Sequence, residues 1–288
     1  MRIIYYCDAG ANALGVMVDD SQFLPLRDIV PNLPHTLKDL LQVEGWQVTI
    51  EQRLDRVPSP RNIKDVRLLP VLPDASVIWC VGVNYKEHQD ETGRGKQDQP
   101  MLFIRTSHGL IGAYDEMVCP RVSEQFDFEG ELAVVIGKAG RHIARGNAAA
   151  HIAGYTIFND GSIRDWQRHT TQFCPGKNFE GTGPLGPWMM TADEFGDPYA
   201  QTITTRLNHE TVQHTAISAM DHKIDALIQY ISTIHTIRPG DIISTGTPGG
   251  VGMHRKPPLW MKAGDVVSVE ITGLGAIRNS VKSESSLG

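Results

Sequence analysis

Asp127-Phe128-Glu129-Gly130-Glu131-Leu132-Ala133-Val134-Val135-Ile136 runs a row of acids directly into an unbroken apolar stretch. Such a stretch argues for a β-strand continuing from the acids. Side chains alternate faces along a strand, so Asp127, Glu129 and Glu131 are expected on one face. Carboxylates that close repel and raise one another's pKa unless a cation compensates, and an all-oxygen row suits Mg²⁺, Mn²⁺ or Ca²⁺. A solvated strand edge would carry the same pattern, and the stretch alone leaves both readings open.

Outward from it, short β-branched runs recur between Gly and Pro turns. They are Val77 to Val83, Leu132 to Gly137, Ile152 to Phe158, Ile203 to Leu207, Ile242 to Ser244, Val266 to Ile271 and Ala276 to Val281. One helix interrupts them, because Met220, Ile224, Leu227, Ile228 and Ile231 share a helical face. Upstream, Gly15 to Leu26 reads as strand, turn and strand, and Thr36 can cap a short helix to Glu44. Pro58, Pro60, Pro70 and Pro73 then punctuate the chain. They suggest a small N-terminal domain over 1–74 and a strand-rich domain over 75–288. The polar tail from Lys282 to Gly288 is expected to fray.

Further chemistry clusters near these strands. The strand from Ile152 ends at Asn159-Asp160-Gly161, so Asp160 adds a carboxylate where ligands commonly sit. No His or Cys pair has zinc spacing, and the four cysteines, Cys7, Cys80, Cys119 and Cys174, read as free thiols. In Val81-Gly-Val-Asn-Tyr-Lys-Glu-His-Gln-Asp-Glu91, a helical turn makes His88 and Glu91 neighbours. A carboxylate beside an imidazole fixes its tautomer and raises its basicity, as a general base needs. Thr245-Gly-Thr-Pro-Gly-Gly-Val-Gly252 lacks the ending of a phosphate loop, but its amides can form a nest for a carboxylate, with Thr247 adding a hydroxyl.

Composition bounds the rest. With 288 residues, 41% hydrophobic and 21% charged, the chain has the means to bury a sizeable core. Its 27 basic against 33 acidic residues, with no basic run, argue against a nucleic-acid partner. No apolar window approaches the roughly eighteen residues of a membrane span. The start lacks a secretory leader, so a cytoplasmic protein is expected.

Taken in order, the segments quoted above, with Gly154-Tyr-Thr-Ile-Phe-Asn-Asp-Gly-Ser-Ile-Arg-Asp165, Gly176-Lys-Asn-Phe179, Gly183-Pro-Leu-Gly-Pro-Trp188 and Pro239-Gly-Asp-Ile-Ile-Ser-Thr-Gly-Thr-Pro248, resemble the fumarylacetoacetate hydrolase family. The resemblance spans Ile78 to Val281 and points to the family's longer, prokaryotic-type members. It implies an α+β, mainly β fold, a mixed β-sandwich roll with a small N-terminal α/β module, in a homodimer. It also implies Glu129, Glu131 and Asp160 as ligands of Mg²⁺ (or Mn²⁺ or Ca²⁺), with Asp127 behind them. His88 and Glu91 become the water-activating dyad and Lys177 the support for a developing oxyanion. Gly246 and Thr247 would contact a small keto acid substrate, with Tyr85, Arg164 and Gln167 lining its pocket. The implied reaction is hydrolysis of a carbon–carbon bond in an acylpyruvate-like β-diketo acid. A 2-hydroxy-diene-dioate isomerase or an oxaloacetate-type decarboxylase would use the same site. Three positions depart from the family pattern: Gly161 replaces a branched residue, Arg105 replaces Lys, and Asn208-His209-Glu210 replaces Asn-Gly-Glu.

Overall fold

A computed structural model of the chain describes residues 1–54, 59–93, 95 and 97–284. Pro58 and the last four residues of the tail lie outside the described residues. The architecture is a mixed twelve-stranded sheet facing a five-stranded one, with short helices at the edges and faces.

The strand Gly130–Ile136 sits deep in the large sheet, antiparallel to Ile152–Asn159 on one side and to Ile242–Ser244 on the other. All of its residues are buried. Leu132, Val134 and Ile136 enter a core shared with Ile231 of the helix Ile224–Ile234 and with Val269 of the small sheet. Ala133 and Val135 face the opposite way, into a core with Leu37, Leu40 and Ile50. A strand covered on both faces needs no polar alternation, which explains the continuous apolar run. Each fully buried Val or Leu there contributes about 1.5–3 kcal/mol of hydrophobic stabilisation.

The strand includes Glu131 but does not continue back through Glu129 to Asp127. Phe126–Asp127 belongs to a separate two-stranded ribbon with Ser162–Ile163, and the chain turns between Asp127 and Gly130. Asp127 therefore leaves the face expected of it. Its carboxylate has better partners elsewhere, as described below.

Every strand-like run read between Val77 and Val281 is a strand, and the small sheet runs Glu210–Ala216, Thr202–Leu207, Val266–Ile271, Gly275–Ser283 and Met117–Cys119. Two local expectations change. Met220 is buried but precedes the helix, which starts at Ile224. Lys282 and Ser283, expected in a frayed tail, pair with Val118 and Cys119, because the neighbouring strand extends that far.

The N-terminal hairpin and the Thr36 cap form as read, with Thr36 Oγ1 accepting from the Asp39 amide at 3.2 Å, but the helix spans only Leu37–Leu40 and stops short of Glu44. Arg2–Asp8 is an additional strand, and it pairs antiparallel with Gly183–Thr191. The order Arg61–Asn62, Gln22–Pro25, Ala11–Met17, Arg2–Asp8, Gly183–Thr191, Ile152–Asn159 shows one sheet crossing the boundary expected at residue 74. Residues 1–74 extend the large sheet instead of building their own. The four cysteines are free, and no helix among the described residues is long and apolar enough to cross a membrane.

Candidate active site

Two adjacent strand ends assemble the acids. Register pairs Gly130 with Asn159 and Glu131 with Phe158, so Glu129, Glu131 and Asp160 emerge side by side. The Asp160 amide donates to the Glu129 carbonyl at 2.8 Å, and Asn159 Oδ1 accepts from the Glu129 amide at 3.0 Å. One carboxylate oxygen from each acid lies within 4.8 Å of the others, and all three residues are buried.

Buried acids need compensation, and each finds a different one. Lys177 Nζ donates to Glu129 Oε2 and Asp160 Oδ2, both at 2.6 Å. Arg105, buried over the Phe158 ring, donates to Asp160 Oδ1 at 2.6 Å. Arg164 Nη1 reaches Glu129 Oε1 at 2.7 Å, and its Nε donates to Asp127 Oδ2 at 2.8 Å. Among the described residues, the donors to Glu131 are neutral, the Ser244 hydroxyl at 2.5 Å and the Gly246 amide at 2.9 Å.

The charges split accordingly. Burial opposes ionisation of Glu129, but the Lys177 and Arg164 cations outweigh it and bring its pKa down to about 2. Burial pushes Glu131 well above its usual range, and Asp160 and Glu129 push the same way. Burial also disfavours the Lys177 charge, yet Asp160 and Glu129 hold its pKa above normal. Three buried cations, Arg105, Arg164 and Lys177, thus face four buried acids, Asp127, Glu129, Glu131 and Asp160. This trio of clustered oxygens with an uncompensated acid fits a hard divalent cation.

Across the cavity, Asn84 pins the turn that leads into the helix Lys86–Thr92. Its Nδ2 donates to the Thr245 and His222 carbonyls, and its Oδ1 accepts from the His222 amide. The preceding Val83 lines the cavity at φ 55°, left-handed backbone that a β-branched residue rarely adopts. His88 Nδ1 lies 3.3 Å from Glu91 Oε2, so the expected dyad is present. Glu91 Oε1 in turn accepts from the Gly250 amide at 2.6 Å. Burial raises the Glu91 pKa, but these hydrogen bonds from His88 and Gly250 bring it below its ordinary value.

The cavity, about 170 Å³, is lined by His88, Glu129, Glu131, Arg164, Gln167 and Lys177, with Phe103 and Phe173 among its apolar walls. That is smaller than the roughly 300–1,000 Å³ of pockets for drug-sized molecules, and it suits an acid of a few carbons. Arg164 Nη1 also donates to Gln167 Oε1 at 2.9 Å, while its buried Nη2 has no partner among the described residues.

Three expected placements need correction. Tyr85 does not line the cavity; it is packed in the core, and its buried hydroxyl lacks a hydrogen-bond partner among the described residues. Asp127 is outside the acidic trio, held by Arg164 and by the amides of Gly252 and Met253 at 2.8 and 3.0 Å. It positions Arg164 against Glu129. The Gly-rich segment does bind carboxylates through its amides, but they are the chain's own. Gly246 takes Glu131, Gly250 takes Glu91, and Gly252 with Met253 takes Asp127. Gly246 is therefore absent from the cavity wall, whereas Thr247 is on it, donating to the Gly130 carbonyl and accepting from Gln213 Nε2. A side chain at Gly252 would meet the Leu259 carbonyl at 1.8 Å, so only glycine lets this backbone close on Asp127.

Arg105, read only as a departure from the family pattern, is an anchor of Asp160. Gly161, the other departure beside it, has the Thr182 carbonyl 2.2 Å from where a Cβ would stand. Gly161→Ala is expected to displace the Asp160 turn and cost about 1–3 kcal/mol, as overpacking does. Thermal denaturation beside wild type checks this; an unchanged Tm would show that the turn yields freely. Arg168, Met253 and His254 also line the cavity. Nothing local in the sequence marks them, because they face the cavity from segments distant from the acids.

Residues 77–282 match the model of the fumarylacetoacetate (FAA) hydrolase C-terminal family. The chain is 40% identical over 255 residues to the human mitochondrial oxaloacetate tautomerase FAHD2A, covering 87% of this chain and 81% of that protein. Its fold is similar to fumarylacetoacetate hydrolase from Exiguobacterium antarcticum, with TM-score 0.86, 33% identity, 99% of this chain and 100% of that one. It is also similar to maleylpyruvate hydrolase from Sphingobium sp. SYK-6 in complex with manganese(II) and pyruvate, with TM-score 0.82, 26% identity and the same coverage.

Proposed function

Because the chain belongs to the fumarylacetoacetate hydrolase family, we propose that it is a divalent-cation-dependent isomerase that interconverts keto and enol forms of a small 2-oxo dicarboxylate such as oxaloacetate. The observation that carries this reading is one small cavity lined by His88, which Glu91 holds, and by Glu129 and Glu131, whose oxygens cluster with those of Asp160. Glu129, Glu131 and Asp160 would hold Mg²⁺ or Mn²⁺; manganese accompanies pyruvate in the Sphingobium relative. When bound, such an ion polarises a carbonyl and offsets the negative charge of an enolate.

The chain's own groups account for the proton. Glu91 fixes His88 through Nδ1, which leaves Nε2 as the atom that takes a proton from the carbon next to the 2-oxo group and returns it. Lys177, held protonated among acids, places positive charge where the enolate oxygen develops. Arg164, with Nη2 unpartnered, offers a donor to the substrate carboxylate. Apolar Phe103, Phe173 and Val81 keep the cavity partly dry, which strengthens each of these interactions.

Isomerisation stands ahead of carbon–carbon bond hydrolysis here because the relative at 40% identity is named a tautomerase, against 33% and 26% for the two hydrolases. The same dyad can activate water, so the experiment must separate the two reactions. Oxaloacetate in D₂O, followed by NMR with Mg²⁺ or Mn²⁺, should exchange its C3 protons faster with enzyme, and chelation should abolish the gain. The carbon skeleton should stay intact. Cleavage of acylpyruvates, with ¹⁸O from water in a new carboxylate, would establish hydrolysis instead. Enzyme-dependent release of carbon dioxide would establish decarboxylation.

A further inference from the structure

We propose that Arg168 and His254 form a second anion-binding position in the cavity, which reads the distal carboxylate of the substrate and makes the enzyme selective for 2-oxo dicarboxylates over 2-oxo monocarboxylates. The inference rests on the 2-oxo dicarboxylate reading of the site and adds to it the residues that recognise the second carboxylate.

The cavity's lining acids, Glu129 and Glu131, belong to the cation-binding trio, and Lys177 and Arg164 both pair with Glu129. Arg168 also lines the cavity, is exposed, and makes no ion pair or side-chain hydrogen bond among the described residues. It directly follows Gln167, whose Oε1 already holds Arg164, so Arg168 and the inner guanidinium are fixed to the same short helical turn. His254 lines the wall as well, its ring 6.1 Å from that of His88, and neither of its ring nitrogens has a hydrogen-bond partner among the described residues. Burial and the neighbouring His88 lower its pKa, so a neutral imidazole offers one N–H. A guanidinium and an imidazole N–H, both unspent, present a carboxylate with charge-assisted hydrogen bonds. A methyl group in its place would gain nothing from them.

Oxaloacetate and 2-oxobutyrate differ only in that group, carboxylate against methyl, and both have exchangeable C3 protons. The readout is the ratio of kcat/KM for C3 exchange, oxaloacetate over 2-oxobutyrate, with Mn²⁺ present. Binding of each acid is measured in parallel by calorimetry. Arg168→Gln should lower the ratio by about 10- to 100-fold through the KM for oxaloacetate, the range of a lost charge-assisted hydrogen bond. Arg168→Lys should recover part of it, and His254→Gln should lower it less. An unchanged ratio in R168Q, or a wild type with no preference, overturns the subsite even if exchange is fast. If wild type exchanges neither acid but binds oxaloacetate more tightly, and R168Q erases that difference, the subsite stands and the isomerase reading falls.

Discussion

His88→Ala is expected to lower kcat for C3 exchange by about 10²–10⁴, the usual contribution of a positioned general base. Cation affinity should remain close to wild type, because His88 is not one of the clustered acids. Glu91→Gln should cost less, since the imidazole stays and loses only the carboxylate that orients it. The Gly250 amide keeps a partner in that variant, so folding is not at issue. Exchange rates by NMR and cation titration by calorimetry make the comparison. Turnover within a few-fold of wild type in H88A would remove His88 from the chemistry.

Lys177→Met has its largest effect on stability. The ammonium bridges Glu129 and Asp160 at 2.6 Å in a fully buried position. Breaking a buried ion pair by removing one partner costs about 3–5 kcal/mol, since the remaining charge keeps its desolvation penalty. At roughly 2–4 °C per kcal/mol for a chain of this size, Tm without divalent ions should fall by about 6–20 °C. Mg²⁺ or Mn²⁺ should then raise Tm more in the variant than in wild type, because the ion replaces the missing positive charge. Thermal melts with each ion and with chelator give both numbers. An ion-independent Tm in K177M would argue that the trio binds no cation.

Local pattern made much of the fold legible. The runs from Ile152 and Ile242 could be read as strands because burial on both faces leaves a largely apolar run with β-branched residues in it. Arg2–Asp8 carried the same signal in Ile3-Ile4-Tyr5-Tyr6 and forms a local hairpin with Ala11–Met17, but its pairing with Met189 and Met190, which joins it to the large sheet, is far away in sequence. The site divides in the same way. His88 and Glu91 are three residues apart on one helix and could be paired from spacing. Asp127 looked equivalent to Glu129 and Glu131 because alternation assumes a straight strand; the turn after it is set by Arg164, 37 residues away. That Lys177 spans Glu129 and Asp160, or that Arg105 holds Asp160, depends on contacts between strands and loops that no window of sequence contains.

The support given by the Gly-rich segment has a consequence for how the protein can change over generations. Three carboxylates that matter to the site, those of Glu131, Glu91 and Asp127, lean on main-chain amides between Gly246 and Met253. A main-chain donor holds its place only while the backbone keeps its path, and at Gly246, Gly250 and Gly252 an added Cβ would meet other atoms at 2.8, 2.2 and 1.8 Å. Length is constrained as well. Inserting or deleting one residue there would shift the phase of every amide after it and misalign several acids in a single step. The spacing of this segment and its glycines are therefore tied to the same three acids.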